Sequence, residues 1–291
     1  MRRLVLISLS LFLIIQLSFC QDSTKINKKR LNTVLITGSI TYATSIITLS
    51  QAWYKNQGLG SFHFFNDNNQ WQQLDKVGHM FTSYQISRIG TQTLKWTNLP
   101  DKKAHFYGAL MGVIYQTPIE ILDGYANGYG ASWGDLLANT MGSGLWIAQY
   151  LLWQEERIHL KYSFHQTPYA QIRPELLGGN WTQAWLKDYN GQTYWLSFDL
   201  YSFTKNSINF PKWLNIAVGY GAENMISGNQ ETSKNQGYKP YRQYYLGLDL
   251  DLSHIQTKNK LLNSLLFVAD MIKIPLPTFE LSEGKVKLHP L

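Results

Sequence analysis

Long apolar stretches fill the first half of the chain and short alternating runs follow in the second half. That order predicts an α+β protein, with an N-terminal bundle of about four apolar helices followed by an antiparallel β-rich C-terminal section. Leu31 to Tyr54 carries no charge before Lys55 and is rich in Ile, Leu, Ala, Thr and Ser, so a helix long enough to cross a bilayer is predicted, with hydroxyls suited to helix contacts. Residues 56–70, rich in Gly, Asn and Phe, read as a loop. A second helix is predicted from Asp75 to Trp96, a third from Lys102 to Ile121 capped by Asp101, and a fourth from Ser132 to Gln154. In the third, Gly108 and Gly112 form a Gly-x-x-x-Gly pair at which another helix can approach closely, and Pro118 is expected to distort the last turn.

After Glu155-Glu156-Arg157 the texture changes. Residues 158–192 contain Pro168, Pro174, Gly178-Gly179, Trp181, Trp185 and Tyr189, which suits a segment at a membrane interface or covering the bundle. Alternation then marks Tyr194 to Phe203, Trp213 to Tyr220 and Gln243 to Leu252, giving an expectation of three or four strands. Leucine recurs at every second position from Leu246 to Leu252, so one face of that strand is apolar and the other acidic or small, the pattern of a half-buried antiparallel sheet. A short helix from Lys258 to Met271 and a Pro-marked tail at Ile274-Pro275-Leu276-Pro277 complete the reading.

With 44% hydrophobic and 14% aromatic residues in 291, the chain has material for a substantial core and is not a disordered protein. Met1-Arg2-Arg3, an apolar run from Leu4 to Leu17 and the exit Ser18-Phe19-Cys20 describe a secretory signal peptide, since a spanning helix needs about 20 apolar residues. The organisation expected is therefore residues 1–20 as signal, 31–154 as helical bundle and 155–291 as aromatic linker, β-rich section and short helix. Cys20 is the sole cysteine. Either it is the lipidated first residue of the mature chain, or it is the last residue removed with the signal, or the segment stays as an anchor. The first two exclude a disulfide framework and a thiol nucleophile. The net charge of +7 is scattered apart from Lys25-Ile26-Asn27-Lys28-Lys29-Arg30. An exported chain meets anionic lipid headgroups rather than nucleic acid, so a membrane lipid surface is the expected partner and nucleic acid is not.

The candidate chemistry lies between residues 75 and 142. Asp75 and His79 stand at i,i+4 in Asp75-Lys76-Val77-Gly78-His79, and Glu120 and Asp123 precede a loop in which Gly124, Gly128 and Gly130 break the helix. Ser132 is a good N-cap, Asp135 falls at N3 of the next helix, and Asn139 one turn on shares a face with Asp135 and Gly142. An oxygen-rich site with one imidazole suits a hard or borderline divalent metal ion, with His79, Glu120, Asp123 and Asp135 as ligands and Asp75 and Asn139 beside them. As catalytic groups, His79 would be a base oriented by Asp75, with Glu120 as the acid and Asp123 adjacent, acting on a lipid or cell-wall precursor. The bland reading is that these groups pair with one another and cap helices. His63, His105, His159, His165 and His254 read as isolated surface or core histidines.

The pattern Asp-Lys-x-Gly-His, then Glu120, Asp-Gly and Ser-Trp-Gly-Asp-Leu-x-Ala-Asn-x-x-Gly, resembles the YfiM-like uncharacterised envelope lipoprotein family, the DUF2279 type, and is more remotely similar to VanZ-like membrane proteins. The resemblance covers roughly residues 31–153. It implies an exported envelope protein, in the periplasm or associated with the outer membrane, and implies no established activity. Two functions follow as expectations: a non-enzymatic membrane-associated protein with a structural or ligand-binding role, or a membrane-associated, metal-dependent enzyme.

Overall fold

The computed structural model describes residues 25–54, 58–204, 210–255 and 257–290. The signal segment and Cys20 lie outside the described residues. The chain forms two compact units, one of helices (residues up to 65, 82–154 and 255–269) and one built on a sheet (66–81, 155–254 and 270–291).

Among the described residues four helices are long, α1 (Lys28–Trp53), α2 (Leu74–Trp96), α3 (Asp101–Tyr125) and α4 (Trp133–Trp153), with α5 (Lys260–Ala269) added late in the chain. α1 starts at Asn27, whose side chain accepts from Arg30 N, and α4 starts at Ser132 and ends at Gln154 in the left-handed conformation. Two expectations need correction. Asp101 is the first helical residue rather than the cap, which is Pro100, and α3 runs on through Pro118 to Tyr125. The lost backbone bond is tolerated because the flanks of Pro118 are held from the side, Gln116 on Asn139 and Glu120 on Ser132.

Small residues set the contact of α3 with α2 and α4. A Cβ added to Gly108 would lie 2.8 Å from Ser87 O, and one added to Gly112 would lie 2.5 Å from Ser83 O and 2.3 Å from the hydroxyls of Ser87 and Ser143. The contact is lined with hydrogen-bonding groups. Ser83 Oγ donates to Asn139 O at 2.6 Å, Ser87 Oγ to Ser83 O at 2.8 Å, and Trp146 Nε1 to Thr91 Oγ1 at 2.8 Å. Buried Arg88 donates to Phe267 O of α5 and stacks on its ring at 4.1 Å. The outward faces are apolar: Leu35, Ile36, Ile40, Ile47, Leu110, Ile114, Leu137 and Met141 are all exposed. In this unit polar groups are inside and aliphatic groups outside.

The sheet unit contains β1 (Ile158–Phe164), β2 (Gln192–Phe198), β3 (Leu214–Glu223), β4 (Tyr241–Leu250), β5 (Thr278–Ser282) and β6 (Lys285–His289), paired antiparallel in sequence order. Among the described residues six strands replace the three or four expected, because β1 lies in the segment read as interfacial and β5 and β6 lie beyond the Pro-marked tail. The register places two contrasting rows side by side. One runs Leu160, Leu196, Val218, Leu246, Phe279, Leu288, and the next runs His159, Ser197, Ala217, Gly247, Thr278, His289. Leu74, Val77 and Phe81 cover the apolar face at its β1–β2 side, packing with Tyr162, Tyr194 and Ala222. From β3 onward that face is open, with exposure rising from 40% at Val218 to 59% at Leu288. The polar face is the buried one. Ser197, Asn215, Asp249 and Glu280 are all buried, and Trp195 lies flat over Gly219. The alternation in β4 is therefore real, but its leucines Leu246 and Leu248 face outward and Asp249 inward.

Candidate functional site

The Asp-Lys-x-Gly-His motif opens α2 within the sheet unit. Before it, Trp71, Gln72 and Gln73 take φ of 47°, 52° and 65°, a run of left-handed residues that L side chains disfavour. It is held from outside: Trp71 N donates to Gly228 O, Tyr220 OH to Gln72 O, and Arg242 to Gln73 Oε1. Each motif position then has a partner. Tyr189 OH donates to Asp75 Oδ1 at 2.6 Å, Lys76 reaches Asp67 at 2.6 Å and Asp75 at 3.1 Å, and His79 Nε2 lies 3.9 Å from Asp75. Gly78 leaves room for the Tyr194 hydroxyl, from which a Cβ there would sit 2.8 Å.

Burial pushes the Asp75 carboxyl up, but His79, Lys76 and the Tyr189 hydroxyl outweigh it and hold the group below its usual value. A carboxyl depressed in the folded state contributes stability above its unfolded value of about 3.9, and that stability is lost as pH falls through the folded value. Asp75→Asn is therefore expected to lower stability at neutral pH and to flatten its fall below about pH 4. Thermal unfolding measured across that range checks it, and an unchanged acid slope would remove Asp75 from the account.

The other sequence-predicted residues fall in the helical unit. The loop after Gly58 hooks onto the glycine loop: Gly60 N donates to Tyr125 O, His63 N to Gly124 O and Ala131 N to His63 O. Gly124 admits the Phe62 ring, which a Cβ would meet at 2.3 Å. Asp123 accepts from Tyr54 OH at 2.7 Å. Burial, then Asp123 itself, push the Tyr54 phenol well up, so its hydroxyl keeps its proton to donate. Glu120 Oε2 accepts from Ser132 N at 3.2 Å, and Ser132 Oγ accepts from Asp135 N at 3.2 Å. Asn139 accepts from Ser83 through its backbone and from Gln116 through its side chain. Glu120, Ser132, Asp135 and Asn139 thus share the α3–α4 contact, Asp123 turns to the end of α1, and Asp75 and His79 belong to the sheet unit.

A second constellation escapes the sequence. On the buried face of the sheet, Lys161 Nζ lies 2.9 Å from Asp249 Oδ2 and 3.0 Å from Asp270 Oδ1. His159 Nδ1 contacts Asp270 Oδ2 at 3.1 Å and Glu156 at 3.5 Å, while its Nε2 lies 3.5 Å from Asp251 Oδ2. His254 Nε2 lies 3.2 Å from Asp199 Oδ2 and 3.8 Å from the same Asp251 oxygen. His159 and His254, read above as isolated, are members of one network. Burial raises the Asp199 carboxyl, yet the Ser202 hydroxyl and amide, with His254, bring it below its usual value. The signal in the sequence is faint: Asp249 and Asp251 at alternate positions on the polar side of one strand, which a solvated sheet face would show equally.

Residues 63–152 match the model of a family described as predicted periplasmic lipoproteins, DUF2279. This stretch is a DUF2279 region. The match spans the end of the loop before α2 through nearly all of α4, so it holds the Asp-Lys-x-Gly-His and Ser-Trp-Gly-Asp motifs and ends before β1. The protein is an exported cell-envelope protein. No curated protein and no solved structure matches the chain. Within the DUF2279 region, the motif residues fasten helix ends and helix contacts: Gly78 clears Tyr194, Ser132 caps α4, and Asn139 receives Ser83 of α2 and Gln116 of α3.

Proposed function

We propose that this DUF2279-region protein is a membrane-inserted envelope protein with a structural or lipid-binding role, held in hydrocarbon by the outward faces of its helices. The observation that carries this reading is the inverted distribution of polarity. A water-soluble bundle buries Leu and Ile and exposes Ser, Gln and Asn. Here Ser83, Ser87, Gln116, Asn139, Ser143 and Gln149 are buried, and aliphatic side chains on α1, α3 and α4 are exposed. Lipid reverses the sign of the problem, because aliphatic side chains cost nothing against acyl chains while polar groups must find partners inside the protein. α1 is long and apolar enough to cross a bilayer and is almost wholly unburied, and its first turn belongs to a cluster of basic residues suited to anionic headgroups.

The sheet unit supports the same reading independently. Its apolar row is exposed from β3 to β6 and its polar row is buried as far as β5, the alternation expected of strands with one side toward lipid. The polar residues of the DUF2279 motifs then act as the internal fastening of a lipid-facing fold.

The test places bimane on Ile114→Cys in α3 and on Val218→Cys in β3, in protein reconstituted into phosphatidylethanolamine–phosphatidylglycerol vesicles carrying acyl-chain bromines. Both labels are expected to be quenched and the protein to resist alkaline carbonate extraction. Release by carbonate with both labels unquenched would overturn the reading.

A further inference from the structure

We propose that Asp199, Asp251 and His254, at one end of the sheet, form a binding site for a divalent cation of the zinc class. Their ligand atoms lie within 4.8 Å of one another. In a tetrahedral site with bonds of about 2.0–2.1 Å, neighbouring ligand atoms are separated by roughly 3.3 Å. The observed separations from His254 Nε2 are 3.2 Å to Asp199 Oδ2 and 3.8 Å to Asp251 Oδ2, so little movement is needed to accept the ion.

The supporting groups are arranged as metal sites require. Asp251 Oδ1 is held by Ser253 N at 2.8 Å and by its hydroxyl at 2.5 Å, which leaves Oδ2 toward the histidines. Asp199 Oδ1 accepts from Ser202 N at 3.1 Å, and its Oδ2 also receives the Ser202 hydroxyl. Such outer partners fix the carboxylates before an ion arrives.

An independent observation points into the same site. His159 is buried, its Nδ1 is engaged by Asp270, and its Nε2, which has no hydrogen-bond partner, faces Asp251 Oδ2 at 3.5 Å. A carboxylate on one imidazole nitrogen with the other aimed at a shared oxygen is the orientation seen around bound zinc.

Lys161 lies against Asp249 and Asp270, whereas the only cationic neighbours of Asp199 and Asp251 among the described residues are imidazoles. Two buried carboxylates and an imidazole suit zinc better than magnesium, which prefers an all-oxygen octahedron and keeps its water. His254 retains 29% side-chain exposure and gives an aqueous ion its way in.

The experiment uses the full chain without an affinity tag, purified in detergent and stripped with chelator, then titrated with zinc chloride against a chromophoric chelator. One zinc per chain is expected, with a raised melting temperature that magnesium does not reproduce. His254→Ala and Asp199→Asn should each weaken zinc at least about tenfold. His165→Ala, a change at an exposed histidine outside the cluster, should leave binding intact. Near-ultraviolet circular dichroism confirms that each variant keeps its packing, and His254→Ala, being partly exposed, is the variant expected to keep it. No stoichiometric zinc, or zinc bound equally well by folded His254→Ala, would overturn the proposal.

Discussion

Lys161→Ala is expected to destabilise the sheet unit by about 3–5 kcal/mol. The ammonium is fully buried between Asp249 and Asp270 and also donates to Leu250 O at 2.7 Å. Removing it leaves Asp249 in a low-dielectric interior without the charge that offset its desolvation, and Asp270 with His159 alone. Asp249 is further committed to Ser197 at 2.7 Å and Asp270 to Leu252 N at 3.2 Å, so neither can swing into solvent. The check is denaturant unfolding followed by tryptophan fluorescence, with Trp195 reporting on this face. Lys161→Met combined with Asp249→Asn and Asp270→Asn should recover most of the loss, because it removes the charges together. If Lys161→Ala unfolded at the wild-type midpoint, the network would be energetically silent.

Gly112→Val is the second change expected to act strongly, at the upper end of the roughly 1–3 kcal/mol typical of overpacking. The new side chain would meet Ser83 O as well as two hydroxyls, and a backbone oxygen cannot rotate away. α3 must then move off α2, which also stretches the bonds among Ser83, Ser87 and Ser143. Gly144→Ala is the matched control: nothing lies within 4 Å of its Cβ position, so helix propensity should make it neutral or stabilising by up to about 1 kcal/mol. Melting temperatures in detergent distinguish them, and equal effects for the two glycines would refute close packing at Gly112.

Much of the helical half was legible along the chain. The period of apolar residues, Ser132 as cap and the Gly108–Gly112 pair are local signals, and they appear in the structure within a few residues of where they were read. Pro118 misleads because a propensity rule carries no knowledge of the side-chain bonds on both flanks. The motif residues could be recognised as a set, but the role of Gly78 depends on Tyr194, more than a hundred residues away. β1, β5 and β6 were hidden for a related reason. Strand pairing is a tertiary event, and a five-residue strand such as β6 has little pattern of its own to show.

What the amino-acid sequence determined by itself was the alternation: which residues are helical, which share a face, and that β4 has one leucine face and one acidic face. Only the tertiary structure decided which face is inside. Periodicity is indifferent to the solvent, since the same two-residue repeat serves a sheet in water and a sheet against lipid. The exposed Leu246 and buried Asp249 show which face is inside, because a carboxylate stays buried only where its charge is met. The partners that meet it, Lys161 on β1 and Ser197 on β2, are distant in sequence and reach it across the same face only once the sheet has formed.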